Sequence, residues 1–238
     1  MAEEKTVIRV KNLYKIFSLG KEKVKALNGV DLEIKKGEFV AICGTSGSGK
    51  STLLNMLSGL EKPTKGEIVV AGTHIEHMSE NELVRFRREH VGFIFQAYNL
   101  IKSMDAVENV ALPLIFRGVR REKRNRMAKE MLKALGVEKI SGHMPSEMSG
   151  GQQQRVGIAR ALVIHPEIIF ADEPTGNLDS ATAKDVLELM QRIVHEEKQT
   201  LVMVTHDGYL ASFADRIVRI SDGRIVKSIK VENEKEWE

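Results

Sequence analysis

The feature that most limits the fold is Gly44-Thr45-Ser46-Gly47-Ser48-Gly49-Lys50-Ser51-Thr52, which matches the pattern GxxxxGK[ST]. It follows Glu38-Phe39-Val40-Ala41-Ile42-Cys43, whose tail is continuously apolar, as in a strand covered on both faces. It precedes Leu53, Leu54, Leu57 and Leu60, an apolar stripe at helical spacing with Gly59 near its end. A glycine-rich loop between a buried strand and a helix makes this pattern a phosphate cradle. Glycines let successive backbone N–H groups curl around phosphate oxygens, and the helix N-terminus adds its positive end. Gly44, Ser46, Gly47, Ser48, Gly49 and Thr52 are therefore assigned to nucleotide binding. Lys50 would reach the β- and γ-phosphates, and the Ser51 hydroxyl would ligate Mg2+.

Such a loop needs a second half. Ile168-Ile169-Phe170-Ala171-Asp172-Glu173 supplies it: a buried strand delivers Asp172 to the Mg2+ shell. The adjacent Glu173 can orient and deprotonate an attacking water. Between the two halves lies Met148-Ser149-Gly150-Gly151-Gln152, followed by a helix-compatible run over residues 153–163. A serine and two glycines at a helix start make either a second phosphate-binding edge or a plain capping turn.

The rest of the chain reads as α/β with a helical interruption. Residues 7–10 and 30–34 alternate apolar and polar side chains, as in an antiparallel sheet with one wet face. Residues 67–71 and 91–95 are further strands. From about residue 97 to 161 the signal is helical, with Asp105 and Glu108 spaced as an N-cap pair. Met127, Met131, Leu132 and Leu135 form a stripe that stops at Gly136. Strand, helix and strand then alternate over residues 168–171, 180–197 and 200–205. Asp222-Gly223 signals a closing hairpin between residues 217–221 and 224–226. One domain follows: a core lobe of residues 1–96 and 162–230, a helical subdomain of residues 97–161, and a charged tail of residues 231–238.

Composition narrows the function classes. Lys plus Arg is 36 against 33 for Asp plus Glu, a formal charge of +3, which gives no support to a polyanion-wrapping protein. One cysteine excludes a disulfide framework and fits a reducing compartment. No apolar run approaches the roughly 20 residues a membrane-spanning helix needs, and the N-terminal residues carry no signal-peptide core.

Taken together, GTSGSGKST, MSGGQ and IIFADE in that order resemble the nucleotide-binding subunits of ATP-binding cassette (ABC) transporters, over nearly the whole chain. Gln96 after VGFIF, the loop Asn177-Leu178-Asp179 and His206 after LVMVT extend the match. The resemblance implies a P-loop NTPase of RecA-like core, with an antiparallel N-terminal sheet and an inserted helical subdomain. It implies ATP and Mg2+ as ligands, a second copy of the chain as partner, and a transmembrane permease at the cytoplasmic membrane face. Two cassettes would stack head to tail, so that Ser149, Gly150, Gly151 and Gln152 meet the partner's nucleotide. Glu173 would activate water, His206 hold the γ-phosphate, Gln96 sense Mg2+ and water, and Asp179 communicate across the dimer. Phe17 occupies the place of the aromatic that stacks on adenine, where the family usually has tyrosine.

Met148 stands where the signature usually has leucine, and Gly176-Asn177-Leu178 where Ser-Ala-Leu is commoner. With FQAYNLI, ALPLIFRGV and EPTGNLD these words resemble the lipoprotein-release, macrolide-efflux and antimicrobial-peptide-resistance subgroup, with the cell-division ATPase a near neighbour. The implied work is efflux or extraction; the alternatives are mechanotransmission or signalling through a membrane partner, and a nucleic-acid or ribosome-associated cassette. A single cassette without a heptad tract speaks against the last, and no nucleic-acid partner is expected. Three other features carry less. Cys43 reads as a small apolar strand end, with oxidation beside the loop as the other reading. The basic run over residues 117–126 reads as a solvated helix start, or as an attraction to anionic lipid. Histidines other than His206 show no metal-ligand spacing.

Overall fold

A computed structural model describes residues 5–20 and 22–231, so all but Val231 of the charged tail lies outside the described residues. Its strands are β1 (Thr6–Leu19), β2 (Glu22–Lys35), β3 (Phe39–Cys43), β4 (Lys65–Val70) and β5 (Thr73–His74), then β6 (Val91–Phe95), β7 (Ile168–Asp172), β8 (Thr200–Thr205), β9 (Arg216–Ser221) and β10 (Arg224–Lys230). The helices are α1 (Lys50–Leu57), α2 (Glu80–His90), α3 (Ala106–Phe116), α4 (Arg121–Ala134), α5 (Gly150–Leu162), α6 (Ser180–Glu197) and α7 (Gly208–Ala211).

Two sheets result. The first runs β2-β1-β4-β5, with antiparallel pairings throughout. The second runs β10-β9-β3-β8-β7-β6, parallel from β9 to β6 and closed by the antiparallel β9–β10 hairpin. Continuous apolar runs in the second sheet follow from burial on both faces. Successive residues of β3 separate cleanly: Phe39 and Ala41 pack in one core, Val40 and Ile42 in the other. Strand β8 divides in the same way, with Leu201 and Met203 on the first face and Val202 and Val204 on the second. Leu53, Leu54 and Leu57 of α1 cover the second face, which also holds the inner face of the antiparallel sheet. Helices α3, α4, α5 and α6 contribute to the core of the first face.

Several boundaries differ from the sequence reading. Strands β1 and β2 each span 14 residues, well beyond the short alternating stretches. A register shift between Val10 and Leu13, with Asn12 at φ 49°, carries the ribbon past the point where alternation fails. Helix α1 stops at Leu57, so Leu60 falls outside its stripe and is exposed. Helix α2 had no apolar stripe to announce it, since only Leu83 and Phe86 are buried. Its signal was Ser79-x-x-Glu82: the Glu82 carboxylate accepts from the Ser79 N–H at 2.7 Å, and the Ser79 hydroxyl accepts from the Glu82 N–H at 3.4 Å. The Asp222-Gly223 turn has φ 48° and 70°, the left-handed pair that a two-residue type I′ hairpin requires. Among the described residues no helix is long and apolar enough to cross a membrane.

Candidate active site

The strand order places four loops side by side at the carboxyl edge of the parallel sheet. In register, Cys43 lies beside Thr205, Val204 beside Asp172, and Asp172 beside Phe95. The residues that follow these strands are Gly44, His206, Glu173 and Gln96, so four motifs far apart in sequence leave one sheet edge. Ligands of open α/β sheets bind at this edge.

The loop after β3 is shaped by close backbone approaches. A Cβ on Gly44 would lie 2.3 Å from the Ile220 carbonyl oxygen. Gly49 has φ +104°, and a Cβ there would lie 2.5 Å from the Ala26 carbonyl oxygen. Lys50 is buried, and its Nζ donates to the Thr45 carbonyl oxygen at 2.8 Å. The Ser51 hydroxyl donates to Asp172 Oδ1 at 3.2 Å, bringing the two candidate metal oxygens together. Burial pushes the Asp172 carboxyl up from the ordinary aspartate range; Ser51 pulls it back, Glu173 pushes it further up, and Lys50 lowers it, leaving it raised. A cation there would relieve that desolvation.

Glu173 sits in the left-handed region at φ 43°, held by its N–H donating to the Val204 carbonyl oxygen at 3.0 Å. His206 Nδ1 lies 2.9 Å from Glu173 Oε1. An open cleft of about 710 Å³ is lined by Ser46, Gly47, Gly49, Lys50, Ser51 and Thr52 on one side and by Glu173 and His206 on the other. Ser48 does not present its side chain to this cleft: its buried hydroxyl lies against Gly44, so its contribution is backbone. Nor does Phe17 line it. Its register partner Val24 does, together with Lys25 and Ala26 of β2, while Lys15 Nζ lies 5.0 Å from the centroid of the Phe17 ring.

The remaining candidates, like Gly44 and Asp172, are not among the residues that line this cleft. Ser149 caps α5, its hydroxyl accepting from the Gln152 N–H at 3.3 Å while the Gln152 amide oxygen accepts from the Ser149 N–H at 2.8 Å. Gly150 and Gly151 are tightly packed: a Cβ would lie 2.9 Å from the Tyr98 hydroxyl and 2.7 Å from Thr182 Cγ2, respectively. Met148 fills the adjoining core, as its apolar volume allows. Asp179 caps α6, accepting from the Thr182 N–H at 3.0 Å and its hydroxyl at 2.7 Å, and these bonds lower its pKa. Gln96 packs against Gly176, and its carbonyl oxygen accepts from Asn177 Nδ2 at 2.9 Å. None of Ser149, Gly150, Gly151, Gln152, Asp179 and Gln96 is among the lining residues of the cleft.

The ABC transporter family profile matches residues 27–176, which includes the glycine loop, the capping serine motif and the Asp172–Glu173 pair. The chain belongs to the ABC transporter family. An uncharacterised ABC transporter ATP-binding protein of Thermotoga maritima is 48% identical over 221 residues, 93% of this chain and 94% of that one. The macrolide export ATP-binding/permease protein MacB of Neisseria gonorrhoeae is 47% identical over 221 residues, 93% of this chain but 34% of that one. In three dimensions the chain resembles the cassette MJ0796 of Methanocaldococcus jannaschii, solved as a dimeric post-hydrolysis state bound to ADP and Pi. That likeness has a TM-score of 0.88 at 43% identity, covering 95% of this chain and 99% of the other. The chain is thus an ABC transporter ATP-binding protein with the cassette fold.

Motif reading missed the residues that brace this cassette's site. Arg160, on α5, donates through its two terminal nitrogens to the carbonyl oxygens of Asn99 at 2.6 Å and Tyr98 at 2.8 Å. Tyr98 and Asn99 have φ 59° and 49°, so the guanidinium holds a strained turn just after Gln96. The Tyr98 hydroxyl donates to the Asn177 carbonyl oxygen at 3.5 Å. Arg117 departs from the solvated-run reading: it donates to the carbonyl oxygens of Arg88, Glu89 and Ile164, each at 2.9 Å. Burial raises the Cys43 thiol to about 11, which fits the inert strand-end reading.

Proposed function

We propose that the chain binds and hydrolyses ATP between two copies of itself and so drives a transmembrane permease, from a peripheral position at the cytoplasmic membrane face. One observation carries this reading: the cleft holds a phosphate cradle and the Glu173–His206 pair, yet Ser149 and its glycines do not line it. A second copy, stacked head to tail, supplies that missing wall. The dimeric MJ0796 with ADP and Pi supports the same arrangement.

The roles follow from the side chains. Backbone N–H groups of residues 44–52 and the Lys50 ammonium neutralise the phosphates. The Glu173 carboxylate takes the proton from the attacking water, and His206, whose Nδ1 lies 2.9 Å from Glu173 Oε1, holds the γ-phosphate. Ser51 and Asp172 offer hard oxygens suited to Mg2+, and Gln96 follows β6, the strand paired with β7. When bound, that ion neutralises phosphate charge. From the opposite copy, Ser149, Gly150 and Gly151 present the N-terminus of α5 to the γ-phosphate, and Asp179 carries contact between copies. The adenine rests on the β2 edge near Val24, with Phe17 on the neighbouring strand. The core lobe and the helical residues 97–161 act as the two lobes of each cassette.

Likeness to a macrolide export protein supports efflux of a drug of that kind; extraction, and a peptide or lipoprotein cargo, rest on the subgroup words of the sequence. Mg2+-dependent ATPase activity of the isolated chain tests the reading. Specific activity should rise with protein concentration, because each site needs two chains. A specific activity independent of concentration over the range where chains separate would count against it.

A further inference from the structure

Opposite in character to the oxygen-only Ser51–Asp172 site, a mixed nitrogen and oxygen cluster sits on the antiparallel sheet. It lies in His74-Ile75-Glu76-His77, where a single 3-10 turn, Ile75–His77, follows β5. Ile75 is 2% exposed and pins the turn to the core, while His74 and His77 stay exposed. His74 ends β5 and His77 closes the turn three residues later. Their rings stack with centroids 6.1 Å apart and planes 19° apart.

Glu76 is held between them. Its side chain is only 4% exposed, and Oε2 accepts from the Ile68 N–H of β4 at 3.1 Å. That leaves Oε1 for the histidines, with His74 Nδ1 at 2.7 Å and His77 Nε2 at 3.5 Å. All three atoms lie within 4.8 Å of one another, and no other such group occurs among the described residues. Ligand atoms around a tetrahedral ion at 2.0–2.1 Å stand about 3.3 Å apart, between those two separations. The Oε2 bond to β4 therefore fixes the carboxylate before any cation arrives.

We propose that His74, Glu76 and His77 form a surface site for one divalent transition-metal ion of the Zn2+ type, with solvent filling its remaining coordination. Two imidazoles and one carboxylate suit zinc and its neighbours, whereas Mg2+ and Ca2+ prefer oxygen. Bound there, the ion joins β5, the turn and, through Glu76, β4. Nothing in this site touches the nucleotide cleft, so its failure would leave the ATPase reading untouched.

Equilibrium dialysis of the full chain against Zn2+, without nucleotide, tests the site. Wild type and Asp172→Asn should each retain one equivalent. The His74→Ala/His77→Ala variant should bind at least about tenfold more weakly. Both histidines are exposed, so this variant keeps the fold. Co2+ in place of Zn2+ should give visible absorption bands in wild type that the double variant lacks. Zn2+ should also raise the wild-type melting temperature and leave that of the double variant unmoved. Equal affinity in wild type and the double variant would overturn the proposal, as would loss of the bound equivalent in Asp172→Asn instead.

Discussion

At the scale of single residues, Arg160 shows how the site is braced from outside the motifs. Its two terminal nitrogens hold the carbonyl oxygens of Tyr98 and Asn99, just beyond Gln96. Lysine keeps the charge but has no planar fork to serve both oxygens. Arg160→Lys should therefore leave ATP affinity nearly unchanged while lowering turnover by roughly tenfold or more, because catalysis is more sensitive to positioning than binding is. Unchanged turnover in steady-state assays would count against the brace. Residues of this kind were not legible in sequence, and the reason is physical. The roles proposed for Lys50, Ser51, Asp172 and Glu173 come from the chemistry of phosphate, metal and water, so their types and spacing carry the message. An arginine on a helix carries none until tertiary structure brings carbonyls to it. His74 and His77 were invisible for a related reason, since their convergence depends on a 3-10 turn that apolar periodicity does not announce. Phe17 is the converse case: the resemblance implied a stacking role for it, and the residue that lines the cleft is its register partner Val24.

Elements were legible where burial imposed a period and obscure where it did not. The parallel strands stood out as continuous apolar runs because both faces are covered, and α6 because its buried face repeats through Val186, Leu187 and Met190. Helix α2 is mostly charged and exposed, so only its capping box betrays it. The long β1–β2 ribbon hides behind its register shifts. One ion pair links these elements across the molecule. Arg216, at the start of β9, binds both carboxylate oxygens of Glu38 before β3, at 2.6 and 3.0 Å. It also donates to the Glu33 carbonyl oxygen of β2 at 2.7 Å. Both side chains are largely buried, at 17% and 14% exposure. Arg216→Ala leaves Glu38 as an uncompensated buried charge and should cost about 3 kcal/mol of stability in chemical denaturation. A cost below about 1 kcal/mol would mean that the pair merely decorates the seam between the sheets.

The whole molecule is a divided site. Its parallel sheet gathers the phosphate loop, Asp172, Glu173 and His206 at one edge, while α5 starts with a serine-capped, glycine-packed N-terminus that lines no part of the same cleft. A nucleotide that contacts both must be shared by two chains, and its preference for the closed pair converts binding into movement. Replacing the proposed general base Glu173 by glutamine, which keeps its shape, should trap that pair. Light scattering of Glu173→Gln with saturating Mg·ATP tests whether two chains share the nucleotide. The mass of two chains is the predicted result, collapsing to one when ADP replaces ATP. A single-chain mass, under conditions where the variant is shown to have bound ATP, would contradict it.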